Sequence, residues 1–223
     1  MEESTRVRAA ITADIEKRIL VSIAHRLPGW VHSDHLTVLG VIGALGVGAG
    51  YGLSVRSPHW LWLASVMLFV NWFGDSLDGT VARVRHAQRP RYGYYLDHAV
   101  DAFTTVVIGV GIGLSPFVSL YVGMAIAILY LLMSINVYLE SKVYSEFRMD
   151  YGILGPTEVR IILIVLNTVA IWVTGSGRLA PEEIEPGASV VTSILLGLMA
   201  ALLLWRFAGN LRRLGREEPL PRP

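Results

Sequence analysis

Five stretches of this chain contain no Asp, Glu, Lys or Arg: 36–55, 57–74, 102–139, 161–177 and 186–205. A helix needs about 20 mostly apolar residues to cross a bilayer core. Only elements that satisfy their own backbone hydrogen bonds persist there. The run after Asp101 is long enough for two crossings, and Ser115-Pro116 divides it because proline breaks a helix ladder. The pattern predicts an all-α, polytopic integral membrane protein. Its six transmembrane helices fall near 36–55, 60–82, 94–114, 117–140, 157–175 and 187–206.

The flanking segments organise around these spans. Residues 1–35 contain Ile11, Ile15, Ile19 and Ile23 at helical spacing, with Asp14, Lys17 and Arg18 elsewhere on the wheel. That pattern suits an N-terminal amphipathic helix lying in the membrane interface. A helix packed on another subunit is the plainer reading. No apolar signal core and no small-residue cleavage site precede the first span. Residues 36–206 form the six-helix domain, and 207–223 read as a basic, disordered tail. Lys and Arg cluster before the first span, between the second and third, between the fourth and fifth, and from Arg206 onward; only Arg56 and Arg178 remain for the other side. The positive-inside rule then places both termini on the cytoplasmic face. A net charge of +1 argues against a nucleic-acid partner, and the absence of cysteine excludes disulfides and thiolate metal sites. Glycines 40, 43, 46, 48 and 50 allow close helix packing in the first span, within the chain or in a homodimer.

Against this apolar background, one run concentrates charge: DSLDGTVARVRHAQRPRYGYYLDHAVDAF, from Asp75 to Phe103. Carboxylates at membrane depth cost a few kcal/mol each on insertion scales, so they are functional candidates. Asp75, Asp78, Gly79 and Ala82 share one face of the second span at i, i+3, i+4 and i+7. Small residues at Gly79 and Ala82 leave room for a ligand against the backbone. Arg83, one turn past Gly79, can clamp a phosphate bidentately. On the third span, Gly93, Asp97 and Asp101 form a second face, flanked by Tyr94 and His98. Four carboxylates near one another repel unless they share protons or a cation. Hard oxygen donors suit Mg²⁺ or Mn²⁺, and a pair of such ions with an arginine is what a diphosphate substrate requires.

This run resembles the signature of the CDP-alcohol phosphotransferase (CDP-alcohol phosphatidyltransferase) family, D-x-x-D-G-x-x-A-R followed by a spacer and G-x-x-x-D-x-x-x-D. Asp75, Asp78, Gly79, Ala82, Arg83, Gly93, Asp97 and Asp101 supply every fixed position. The spacer, Val84 to Tyr92, is one residue longer than usual. The resemblance implies transfer of a substituted phosphate from a CDP-linked donor to a lipid or alcohol hydroxyl, with release of CMP. It implies two divalent ions held by Asp75, Asp78, Asp97 and Asp101, with Asp101 also the general base. It places Gly79, Ala82 and Arg83 in the CDP site, with Gly93 beside them. The active site would then face the cytoplasm, among membrane lipids.

Further features bear on the acceptor. An Asp-His pair, here Asp97-His98, resembles the choline/ethanolamine phosphotransferase branch, in which His98 would help activate a lipid hydroxyl. Gly155-Pro156-Thr157-Glu158 is similar to a Gly-Pro-x-Glu element of the same branch, and Arg160 stands two residues beyond it. Glu158 is either a binder of an amine or acceptor or a helix cap; Arg160 is a candidate for a phosphate or headgroup. The segment SDHLTVLG resembles a family motif at the first span, which gives Asp34 a nucleotide-side role. Arg85, Arg89 and Arg91 read as contacts to anionic headgroups. These features favour a diacylglycerol-like acceptor. The alternative is phosphatidyl transfer from CDP-diacylglycerol to glycerol phosphate, inositol phosphate or serine. A cation transporter would also place acids in helices, but would not need Gly79, Ala82 and Arg83 at those offsets.

Overall fold

The computed structural model describes residues 13–144 and 155–219, and every regular element in them is helical. The helices are α1 (Ala13–Arg26), α2 (Ser33–Leu53), α3 (Leu61–Val84), α4 (Pro90–Gly113), α5 (Leu120–Tyr144), α6 (Pro156–Gly175) and α7 (Pro181–Glu217), with a short 3₁₀ turn at Pro58–Trp60 before α3. Five of them, α2 and α4 to α7, are long and apolar enough to cross a membrane. The remaining long helix, α3, has 24 residues and carries Asn71, Asp75, Asp78 and Arg83 among its apolar ones.

Proline and glycine explain several boundaries. Pro90, Pro156 and Pro181 each occupy the first turn of a helix, where the missing N–H costs no hydrogen bond. The five-residue turn between α3 and α4 places His86 at φ 53°, a left-handed conformation uncommon for a residue with a Cβ. Two boundaries differ from the sequence reading. α7 starts before Pro186 and runs to Glu217, through residues expected to be disordered. Its C-terminal half is fastened to α5, since Arg206 and Asn210 both donate to Glu140.

α2 lies at the centre, against α3 on one side and α4 on the other. Glycines make that approach close. A Cβ at Gly43 would sit 2.5 Å from Asn71 N, and one at Gly50 2.5 Å from Ala64 N. Gly48 faces Val107 and Gly111 of α4. The glycines suggested as a homodimer contact are thus consumed by packing inside the chain. Two apolar clusters bracket the middle of the bundle. One joins Val47, Tyr51, Leu61, Ala64 and Leu68 to Phe117, Val118 and Ile171. The other joins Leu20 and Ala24 of α1 to Leu36, Leu77 and Val81. α1 therefore docks through Leu20 and Ala24, while Ile15 and Ile19 of the expected stripe are exposed; Ile11 lies outside the described residues. α6 packs on α3, and α5 on α4 and α7.

Candidate active site

Between the two clusters, α2, α3 and α4 enclose a polar pocket. Asp75 and Asp78 enter from α3, Asp97 and Asp101 from α4, and Thr37 and Gly40 from α2; Asn71, Val100 and Thr104 complete the lining. All four aspartates singled out by spacing therefore meet in one place. The cavity holds about 10 Å³, at the lower limit of what one water occupies. Among the described residues no three His, Asp or Glu side chains form a ready-made ion cage. At least three of the carboxylates have protein partners, Asp97 Oδ2 lying 3.7 Å from His98 Nδ1. Thr37 Oγ1 donates to Asp78 Oδ2 at 2.8 Å. Arg160, from the first turns of α6, donates to Asp75 Oδ2 at 2.9 Å and to Asn71 Oδ1 at 3.1 Å. Asn71 is buried and passes its own Nδ2 hydrogen to Gly40 O at 2.9 Å. A guanidinium thus supplies positive charge to a cluster of hard oxygen donors. That donor set and the size of the cavity fit a small divalent cation.

One helical turn along α3, a wider cleft of about 370 Å³ opens beside Ala82. His32, Ser33, Asp34 and His35 line it from the start of α2, and Val81, Arg85, Ala87 and Arg89 from the end of α3 and the turn after it. This volume lies within the range of small-molecule sites. Asp34 forms an ion pair with Arg89, whose guanidinium also lies 4.1 Å from the Tyr92 ring centroid. Arg85 donates to the carbonyls of Leu27, Pro28, Gly29 and Val31. Arg85 and Arg89 are thus engaged by protein groups, not simply extended toward lipid as their sequence positions suggested. Arg83 folds back over Gly79 and donates to Thr80 Oγ1 at 3.0 Å.

Two of the sequence candidates, Glu158 and Gly93, lie elsewhere, and a third, His98, sits at the pocket's edge beside Asp97. His98 faces α5, between the rings of Tyr94 and Tyr138 at centroid distances of 4.0 and 4.2 Å. A carbonyl can only accept, so His98 Nδ1 donates to Tyr94 O at 2.7 Å. The i−3 offset from Asp101 had suggested a shared face; the ring stacks toward α5, and its Nδ1 lies 3.7 Å from Oδ2 of the pocket carboxylate Asp97. Glu158 Oε2 accepts from Gly155 N at 2.9 Å and caps α6. Gly93 is exposed in the first turn of α4, with open space where a Cβ would be. Conversely, Thr37, Gly40 and Asn71 carry no role in the sequence reading. The first two lie in SDHLTVLG, and Asn71 is an amide in an otherwise charge-free run, one turn before Asp75.

The family profile described as CDP-alcohol phosphatidyltransferase matches residues 30–207. This chain belongs to the CDP-alcohol phosphatidyltransferase family. It is 23% identical over 187 residues to cholinephosphotransferase 1 of Danio rerio, a match covering 81% of this chain and 48% of that protein. It is 32% identical over 155 residues to phosphatidylinositol phosphate synthase of Cutibacterium acnes, covering 66% of this chain and 69% of that protein. The chain therefore spans about half the length of the fish relative. The matched segment of this family member takes in both cavities and Arg160, and leaves out α1 and the end of α7.

Proposed function

We propose that this protein is an integral membrane CDP-alcohol phosphotransferase of phospholipid synthesis, with its chemistry at the four-aspartate pocket. The observation that carries the reading is an ion-sized cavity of carboxylates one helical turn from a cleft large enough for a nucleotide. A turn is about 5.4 Å, a span suited to the diphosphate of a CDP-linked donor. Ala82, Gly79 and Asp34 offer small or polar surface to the nucleotide side, and Arg83 offers a guanidinium to phosphate oxygens. Asp75, Asp78, Asp97 and Asp101 would hold Mg²⁺ or Mn²⁺, two ions by the family resemblance. Such ions, when bound, supply neutralisation of the diphosphate charge and stabilisation of the departing CMP.

The acceptor hydroxyl oxygen forms a bond to the distal phosphorus of the donor. The bond from that phosphorus to the bridging oxygen breaks, and CMP leaves with the electron pair. Asp101 takes the hydroxyl proton as general base. No covalent enzyme intermediate is needed.

The finer question is the acceptor. His98 and Glu158, the features that favoured a lipid hydroxyl, are engaged at the α4–α5 contact and the α6 cap. Arg160 instead reaches the pocket. A guanidinium there suits an acceptor that carries its own phosphate, which supports transfer from CDP-diacylglycerol to a polar alcohol such as inositol phosphate or glycerol phosphate. The likeness to a phosphatidylinositol phosphate synthase points the same way. A diacylglycerol-type acceptor is the second reading, supported by the likeness to a cholinephosphotransferase and by Asp97-His98.

The proposed topology has six spans, α2 to α7, with α1 on the cytoplasmic surface. α3 is about 36 Å long at 1.5 Å per residue, enough to cross a core of about 30 Å. A donor-by-acceptor panel on purified protein, reading CMP and lipid product with and without divalent cation, tests the assignment. Product from CDP-diacylglycerol plus a phosphorylated alcohol supports the first reading. Product from CDP-choline or CDP-ethanolamine plus diacylglycerol moves it to the second. Cation flux in proteoliposomes with no CMP from any pair would reject transfer altogether.

A further inference from the structure

Glu16, on α1, lies outside both cavities and outside the segment shared with the family profile. Its carboxylate nevertheless gathers three hydrogen bonds from two other helices. Trp72 Nε1 and Ser76 Oγ of α3 each donate to Oε1 at 3.1 Å. Thr157 Oγ1 of α6 reaches Oε1 at 3.3 Å and Oε2 at 3.2 Å. Ser76 immediately follows Asp75. Thr157 lies three residues before Arg160, nearly one helical turn away. The carboxylate thus joins the turn of α3 that carries Asp75 to the turn of α6 that carries Arg160.

We propose that Glu16 is a positioning residue that ties α6 to α3 and so holds Arg160 at the pocket. α6 packs mainly on α3, and Asn167 fastens its distal half by donating to Ser65 Oγ at 3.1 Å and accepting from Tyr51 Oη at 3.0 Å. The proximal end lacks that anchor. There Thr157 meets Glu16, and Arg160 meets Asn71 and Asp75. A carboxylate sharing hydrogen bonds with two helices orients them relative to one another, which apolar contact does not, because hydrogen bonds weaken steeply away from linear geometry. Leu20 and Ala24 hold α1 against α3 independently, so removing the carboxylate leaves α1 docked and leaves Arg160 as the remaining polar tie of the start of α6 to α3.

The inference rests on the proposed transferase for its kinetic consequence, but its structural part is measurable without turnover. The chain has no cysteine, so Val66→Cys on α3 and Val159→Cys on α6, both exposed, take spin labels without background. Glu16→Ala is expected to broaden the label-to-label distance distribution in the purified full chain. Glu16→Gln keeps an acceptor oxygen for the same donors and is expected to keep the wild-type distribution. In steady state with the active donor–acceptor pair, Glu16→Ala should lower kcat/KM at least 10-fold, mainly through acceptor KM, with Glu16→Gln within about 3-fold of wild type. A distance distribution unchanged in Glu16→Ala overturns the tie. Equal damage by Gln and Ala also overturns it, because the effect would then belong to the negative charge. If wild type turns over no CDP-linked donor, the transferase reading fails while the distances still decide the tie.

Discussion

At the scale of single residues, the pocket is a set of carboxylates with unequal protein partners. Asp78 accepts from Thr37 and Asp75 from Arg160. Replacing Arg160 with Ala leaves Asp75 without that charge in a partly enclosed site. The expected loss lies between the ~1 kcal/mol of an exposed pair and the ~3–5 kcal/mol of a buried one. Thermal unfolding in detergent should show that loss without divalent cation and partial recovery when Mg²⁺ is added. A melting temperature equal to wild type in both conditions would argue that the pair contributes nothing. Asp75→Asn and Asp78→Asn are each expected to reduce metal-dependent transfer by orders of magnitude while the fold persists. Asp101→Asn should retain donor binding yet lose at least the ~10²-fold rate typical of a missing general base. Wild-type turnover with bound donor would move proton removal elsewhere. The four aspartates were legible in the sequence because i, i+3 and i, i+4 offsets determine a helix face. His98 sits between the rings of Tyr94 and Tyr138 with Nδ1 3.7 Å from Asp97 Oδ2, contacts that its offset from Asp101 alone does not reveal.

Helices are positioned here by what glycine permits. α2 and α3 approach so closely that a Cβ at Gly74 would sit 2.5 Å from Leu36 O. Side-chain packing between lipid-soluble helices depends on contact rather than on escape from water, so that approach is the stabilising element. Gly74→Ala should therefore cost about 1–3 kcal/mol through overpacking. It should also depress turnover, since it displaces the turn carrying Asp75. Gly52→Ala, where nothing lies within 4 Å, serves as the control and is expected to be neutral or to gain up to ~1 kcal/mol from helix propensity. Equal unfolding midpoints for the two variants would contradict the packing argument. The glycines were visible in the sequence, but which helix each one faces was not. Helical periodicity defines the directions of a helix's faces and carries no information about the neighbour. The end of α7 was misread for a related reason. Its composition suggests disorder, while its order comes from Glu140 on another helix.

For the whole molecule, the consequential matter is orientation. The proposed six-span arrangement puts the cleft, α1 and the end of α7 on the cytoplasmic side and the α6–α7 connection on the other. Single cysteines in this cysteine-free chain test it. Arg178→Cys, between α6 and α7, should react with an impermeant maleimide on intact cells, whereas Arg212→Cys should react only after permeabilisation. The reverse pattern, Arg212→Cys labelled from outside and Arg178→Cys protected, would show an odd number of spans and remove α3 from the count; labelling of both from outside would show that α7 does not cross.

The sequence alone determined the class of molecule and the identity of its acids. Charge-free runs of membrane length leave few folds open, and carboxylates at the ends of the spans they build are too costly to be incidental. Spacing along one helix then placed each aspartate pair on a face. Tertiary structure decided what those faces meet: Thr37 with Asp78, Arg160 with Asp75, His98 with Tyr138, and Glu16 with both α3 and α6. The partners in these contacts lie 40 to 141 residues apart in the chain. Local periodicity has no reach over such separations; packing of glycine-lined helices brings them together.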